Sequence, residues 1–370
     1  MIKFLDLQKI NAQYQNEFHQ KLQLVLDNGW FILGNEVAQF EKNFATYTQS
    51  KYTIGVGNGL DALILIFKGY MQLGLLQKGD EVLVPANTYI ASILAILHAD
   101  LEPVLVEPKL DTYTINPDLI EEKISPKTKA ILPVHLYGQL CEMDKIYEIA
   151  LKNNLLLIED AAQSHGAFLT FKRQSLDVKR ASAYSFYPGK NLGALGDAGA
   201  ITTNDYDLAK VVLSLRNYGS EKKYHNKFVG FNSRLDELQA AFLNIKLPFL
   251  DLDNHKRRVI AKRYLSEIKN DKIILPTVSK HSEDLDHHVF HLFVIRTANR
   301  LDLQHYLQYH HIETMIHYPV APHQQKALEK WSHLSFPVTE KIHREVLSLP
   351  ISPILTEGEV DFVIDVLNKY

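Results

Sequence analysis

Between residues 50 and 205 the chain alternates short apolar runs with longer stretches of helical periodicity. Ile54 to Val56 is apolar and runs into Gly57-Asn58-Gly59, after which apolar positions continue from Asp61 to Tyr70 as a helix. Glu81 to Val84 predicts a buried strand, then a polar turn through Tyr89 and a helix to His98. Pro103 to Val106, Lys129 to His135 and Leu155 to Asp160 predict further strands, with helical stretches at Pro117 to Ile124 and Met143 to Asn153. A strand-like run, Ala181 to Tyr187, breaks at Pro188-Gly189, and Asp205 to Tyr218 has helical spacing. Strands that alternate with helices argue for a mainly parallel sheet covered on both faces. Earlier, a polar start leads into a helix that ends near Asn28-Gly29. Later, helical spacing resumes at Ser233, and a long charged helix spans Asn254 to Lys269. Val289 to Arg296, Gln304 to His311 and a terminal helix from Glu357 to Asn368 suggest a smaller α+β unit. The expected division is residues 1–245 and 246–370; 370 residues are too many for one compact core.

In such sheets ligands bind beyond the C-terminal strand ends. Asn58, Tyr89, Asp160 and Ser185 all fall at or just after those ends. Lys190 follows the Pro188-Gly189 break at once and precedes a glycine-rich loop, Gly193 to Gly199. A lysine fixed on a tight turn suits Schiff-base chemistry; a lysine beside a turn is also an ordinary surface residue. Asp160 closes a strongly apolar strand, so its carboxylate needs a cation or several donors, or else caps the following turn. Gln163 lies three residues on. The glycines before Leu60 let backbone N–H groups at a helix start approach an anion, although Asn58 or Asp61 would equally cap that helix.

Composition narrows the function by exclusion. Net charge is −3, which gives no electrostatic reason for nucleic acid or an anionic membrane as partner. Cys141 is the single cysteine, so no intrachain disulfide forms, in keeping with a reducing compartment. Seventeen histidines show no zinc-site spacing, and no metal is expected. The start of the chain lacks an apolar leader and no run is long enough to span a bilayer, so the expected location is cytoplasmic. The full Gly-x-Gly-x-x-Gly spacing of a dinucleotide site is absent at Gly55 to Asp61.

Four segments together are specific: Gly57-Asn58-Gly59-Leu60-Asp61-Ala62-Leu63, Glu159-Asp160-Ala161-Ala162-Gln163-Ser164-His165-Gly166, Ser185-Phe186-Tyr187-Pro188-Gly189-Lys190-Asn191-Leu192-Gly193, and Asn232-Ser233-Arg234-Leu235-Asp236-Glu237-Leu238-Gln239. Through them the chain resembles, over essentially its whole length, the DegT/StrS-type sugar-nucleotide aminotransferases that use pyridoxal 5′-phosphate. The resemblance implies the fold-type I architecture: a large α/β domain with a mainly parallel seven-stranded sheet between helices, and a smaller C-terminal α+β domain. It implies that Lys190 forms the Schiff base with the cofactor, that Asp160 meets the pyridinium nitrogen, and that Gln163 meets the oxygen side of the ring. Tyr89 would stack on the ring, while Gly59, Leu60 and the Ser185 hydroxyl hold the phosphate. Asn232 would reach the phosphate in a neighbouring subunit, so a homodimer with shared sites is implied. A relative that dehydrates its sugar has histidine at the lysine's position; Lys190 favours transamination. The stretch from Phe168 to Arg180 departs from the family pattern, being basic and lacking a Gly-Asp pair.

Ile316-His317-Tyr318-Pro319 is similar to the loop of members that aminate C3 of a dTDP-linked 3-keto-6-deoxyhexose. That makes His317 and Tyr318 candidate substrate residues, with Lys222, Tyr224 and His225 meeting the nucleotide diphosphate. Arg234 would bind the donor carboxylate or pair with Asp236 or Glu237. The expected reaction moves an amino group from L-glutamate to such a sugar, giving a dTDP-3-amino-3,6-dideoxyhexose, galacto before gluco, for surface polysaccharide or an antibiotic sugar. Two alternatives stay open: a C4-aminotransferase acting on a 4-keto sugar, and a non-catalytic regulator that binds the cofactor.

Overall fold

The computed structural model describes residues 1–167, 178–278 and 285–370. Most of the atypical Phe168 to Arg180 stretch therefore lies outside the described residues. Among the described residues seven strands form the central sheet: β1 (Tyr52–Val56), β2 (Glu81–Pro85), β3 (Glu102–Val106), β4 (Thr128–Ile131), β5 (Leu156–Asp160), β6 (Arg180–Ser185) and β7 (Gly199–Thr203). Their order is β1-β7-β6-β5-β4-β2-β3. Only β7 runs against its neighbours, pairing antiparallel with β1 and β6. The sheet is thus mainly parallel, as expected. Every residue of β5 is buried, which is why Leu155 to Ile158 reads as an unbroken apolar run.

One face is covered by Gly59–Gln72, Ile90–His98 and Tyr206–Leu215, whose Leu65, Ile66, Phe67, Ile96 and Val212 join the main core. Met143–Lys152 packs Ile146 and Ala150 on the other face with Leu83, Ile131 and Leu157. A second core surrounds an antiparallel pair, Phe293–Arg296 with Val346–Leu349, and takes Val363 and Leu367 from the terminal helix Glu357–Lys369. The helix Leu250–Glu267 connects the cores: Leu250 packs in the first unit, and Ile260, Ala261 and Tyr264 pack in the second. No helix among the described residues is long and apolar enough to cross a membrane.

Several expected elements are shorter or differ in kind. Pro117 to Ile124 forms two single 3-10 turns, Pro117–Leu119 and Glu121–Lys123, instead of one helix. The strand expected at Lys129 to His135 stops at Ile131, two residues before Pro133, which cannot donate to a ladder. The helix expected from Ser233 begins at Glu237. Ser233 is instead committed to the first strand, its hydroxyl accepting from Gly57 N at 3.1 Å. The Glu237 carboxylate accepts from Gly34, Glu36 and Val37 N and fastens the start of the helix Asn35–Thr48. At Gly29, φ is +62°, the left-handed stop that ends Gln15–Asn28 where the sequence places it.

Candidate active site

The strand ends do converge. β5 delivers Asp160, which is 9% exposed and fixed from two sides. Ser92 Oγ donates to its Oδ2 at 2.7 Å, and Ala162 N donates to Oδ1 at 3.1 Å. The turn-capping role is therefore real and leaves the carboxylate oriented. Next to it, on the same strand, Glu159 makes a buried network: His135 Nε2 at 3.0 Å, Ser182 Oγ at 3.3 Å and Arg180 Nε. Burial disfavours the Glu159 charge, but Arg180 and His135 hold its pKa down at about 2. This network and the bond from His135 N to Asp160 O at 3.1 Å tie down the end of β5.

Lys190 sits in a loop that closes on itself. Its N–H donates to Tyr187 O and Ala194 N donates to Phe186 O, both at 2.8 Å. Gly193 packs against the Pro188 carbonyl so closely that any side chain would collide with it. The Lys190 side chain is half-buried. Burial lowers its pKa to about 8, with the Asp160 carboxylate pulling the other way. Such an amine is largely neutral just above that pH, as a nucleophile must be.

Around it lie three imidazoles that resist protonation. Burial, then the Lys190 charge, lowers His165 to about 3 and His317 to about 4; His291 is also held well below the ordinary value, first by burial and then by Lys190. His317 Nδ1 pairs with Ser348 Oγ at 2.9 Å. Gln163 Oε1 accepts from Tyr137 N at 2.6 Å, and its Nε2 donates to Tyr318 Oη at 3.2 Å. Tyr89 and Tyr318 face one another with ring centroids 5.2 Å apart, and Tyr137 Oη donates to the His317 carbonyl. Gln163, Tyr89, His317 and Tyr318 thus share the neighbourhood of Lys190 and Asp160.

The anion cradle is formed by the helix Gly59–Gln72. Asn58 caps it, accepting from Asp61 N at 2.9 Å, while Gly59 and Leu60 N–H have no intrahelical acceptor. A Cβ on Gly59 would come within 2.6 Å of Ser185 Cβ, so the two segments touch and place the Ser185 hydroxyl beside those N–H groups. Two free N–H donors, a hydroxyl and a helix N-terminus suit a phosphate. The half-buried amine, the fixed carboxylate and the exposed Tyr89 ring suit a pyridine aldehyde, so the residues present fit pyridoxal phosphate.

Other expected residues are not gathered here. Asn232 is exposed and pairs through its backbone with Asn217. Lys222, Tyr224 and His225 lie exposed on a small hairpin, with Tyr224 86% exposed. Arg234 donates to Asn217 Oδ1 at 3.0 Å and lies over the Tyr218 ring; the alternative pairing with Asp236 or Glu237 is corrected, since Glu237 serves the backbone near Gly34. Sequence reasoning missed Ser92, His165, Asn191 and His291. Ser92 lies on the helix Ile90–His98, three residues beyond Tyr89, and helical spacing alone could have flagged it. His291 carries no such signal, because it arrives from the second unit.

Comparison with known proteins shows the family. The model of the DegT/DnrJ/EryC1/StrS aminotransferase family matches residues 12–368. A dTDP-3-amino-3,6-dideoxy-alpha-D-galactopyranose transaminase of Aneurinibacillus thermoaerophilus is 57% identical over 370 residues, covering 100% of this chain and 99% of the relative. A dTDP-3-amino-3,4,6-trideoxy-alpha-D-glucose transaminase of Streptomyces venezuelae is 43% identical, covering 100% and 96%. The crystal structure of S. venezuelae DesV with a ketimine intermediate superposes with a TM-score of 0.93 at 42% identity, over 100% of this chain and 98% of that one. Bacillus subtilis NtdA with its cofactor PMP gives 0.89 at 35% identity, over 98% and 83%. By sequence, fold and the residues gathered at Lys190, the chain belongs to the DegT/DnrJ/EryC1/StrS aminotransferase family.

Proposed function

We propose that this aminotransferase moves an amino group from L-glutamate to C3 of a dTDP-3-keto-6-deoxyhexose, yielding the 3-amino-3,6-dideoxy-galactose product. The observation that carries the reaction type is the half-buried Lys190 amine beside the fixed Asp160 carboxylate and the anion cradle at Gly59, Leu60 and Ser185. Full-length similarity at 57% identity to a transaminase of the galacto product supports the choice of sugar.

Bound pyridoxal phosphate supplies an electron sink for the bond-breaking at the amino-bearing carbon. Asp160, oriented by Ser92 and Ala162 N, would meet the ring nitrogen and favour its protonated form. Gln163, its carbonyl fixed by Tyr137 N and its amide donating to Tyr318 Oη, would lie on the ring's oxygen side. Lys190 would take up and return a proton at Nζ, a task for which a pKa near neutrality is suited. His317 and Tyr318 come from the second unit and face the same space, where a hexose would meet them. Neutral imidazole at His317 offers donor or acceptor without adding charge beside Lys190.

Asn232, Lys222, Tyr224 and His225 are exposed in the single chain, and we assign them to the site of a neighbouring subunit in a homodimer. Trp30, Phe31 and Ile32, at 64%, 48% and 37% exposure, form an apolar patch that a second copy would cover. The homodimer would act in the cytoplasm.

The experiment is a half-reaction followed by absorbance. L-Glutamate converts the cofactor to its amine form, and the separate 3-keto and 4-keto sugar nucleotides are then offered. Return of the aldehyde form with the 3-keto sugar supports the proposal, and return with only the 4-keto sugar assigns C4 instead.

A further inference from the structure

A chain of hydrogen bonds runs beneath the Lys190 turn, and its polarity can be assigned from one end. The His165 carbonyl can only accept, so it is the amide nitrogen of Asn254 that faces it, at 2.8 Å. The Asn254 carbonyl oxygen therefore faces Asn191 and accepts from its Nδ2 at 2.8 Å. Asn191 Nδ2 also meets the Val289 carbonyl at 3.2 Å, which commits its amide hydrogens. Its Oδ1 is left as an acceptor, and the partner of that oxygen is His291 Nδ1 at 3.0 Å. His291 must accordingly donate from Nδ1, and its Nε2 carries a lone pair. The opposite tautomer holds at His165, whose Nδ1 accepts from Leu192 N at 3.2 Å.

Asn254 is 1% exposed and the network has little slack. A Cβ at Gly166 would come within 2.7 Å of Asn254 Nδ2, and φ there is +82°. At Gly138, a Cβ would come within 2.8 Å of His291 N. Asn191 is the residue that follows Lys190, while His291 and Val289 belong to the segment leading into Phe293–Arg296 of the second unit.

We propose that Asn191 and His291 are a positioning pair for Lys190, in which the Nδ1–H of His291, received by the Asn191 side chain, locks the lysine's turn to the second unit. Burial, and then the Lys190 and Arg257 cations nearby, keep the imidazole neutral, so the tautomer is kept at working pH. The inference rests on Lys190 being the residue that joins the cofactor.

Two substitutions of similar polarity separate the ring nitrogens. His291→Asn places an amide N–H near the Nδ1 position, and His291→Gln places it near Nε2. Each holoenzyme is titrated by absorbance for the pH midpoint of the lysine–cofactor band, and each is mixed with L-glutamate in a single turnover. His291→Asn is expected to keep the midpoint within about 0.3 unit and the rate within about threefold. His291→Gln is expected to move the midpoint by at least about half a unit and slow the maximal rate about tenfold, with the glutamate concentration dependence unchanged. Equal behaviour of the two variants, whether both normal or both impaired, overturns the proposal, as does the reverse ranking. The parent protein is the control for the reading beneath it: absence of a titrating band there removes Lys190 from the chemistry and leaves the pair without an object.

Discussion

Replacing Gly59 with alanine places a methyl group 2.6 Å from Ser185 Cβ and 3.2 Å from Ser185 Cα. The closer distance is about 0.8 Å short of ordinary contact, and both partners are backbone-anchored, one on a helix start and one on a strand end. A shift of that size stretches a phosphate hydrogen bond from about 2.8 to about 3.6 Å, where it no longer counts as one. A charge-assisted hydrogen bond contributes about 1.5–3 kcal/mol. Loss of one weakens cofactor binding roughly ten- to a hundredfold. The assay is titration of the apoprotein with pyridoxamine 5′-phosphate, which cannot bond covalently to Lys190, beside pyridoxamine without its phosphate. Gly59→Ala should weaken the phosphorylated ligand and leave the other unchanged. Equal weakening of both ligands, or wild-type affinity for the phosphorylated one, would refute the phosphate cradle.

Ser92→Ala removes a buried donor from Asp160 and is expected to lower kcat about fivefold to tenfold with little change in sugar KM, measured by steady-state kinetics. Capture of pyridoxal phosphate by the apoprotein should accelerate as pH rises toward 8 and level above it, because Lys190 loses its proton near that value. The same depressed pKa means that the folded apoprotein binds fewer protons than the unfolded chain between about 8 and 10.5, so this group's contribution to stability rises with pH across that window; a flat capture rate from pH 6 to 9 contradicts it. If the sites are shared, mixing inactive Lys190→Ala with inactive Asn232→Asp subunits should restore about a quarter of wild-type activity, since half the dimers are hybrid and each has one intact site. No recovery on proven subunit exchange places Asn232 in its own subunit's site.

Much of this was legible in the chain because two signals were local. Buried parallel strands leave unbroken apolar runs, and Leu155 to Ile158 revealed β5 and hence Asp160. Glycines and Pro188 marked the lysine's turn and the anion cradle. Element ends were less legible where distant residues decide them. The start of the helix at Glu237 coincides with backbone pairing to Phe31 and Ile32, some two hundred positions earlier, and nothing near Ser233 records that. His291 and Asn254 were invisible for the same reason: each acts through Asn191, and only the folded second unit brings them there. Arg234 offered carboxylates close in sequence, yet Asn217 is its partner across a backbone pairing.

The most direct test of amino transfer at Lys190 is a single-turnover absorbance measurement with L-glutamate followed by the dTDP-3-keto-6-deoxyhexose, in wild type and Lys190→Ala. Wild type should lose the aldehyde form with glutamate and regain it with the 3-keto sugar, releasing the 3-amino product, while Lys190→Ala still binds cofactor and does neither. Turnover by Lys190→Ala at a rate near wild type would contradict the assignment of Lys190 and the reaction built on it.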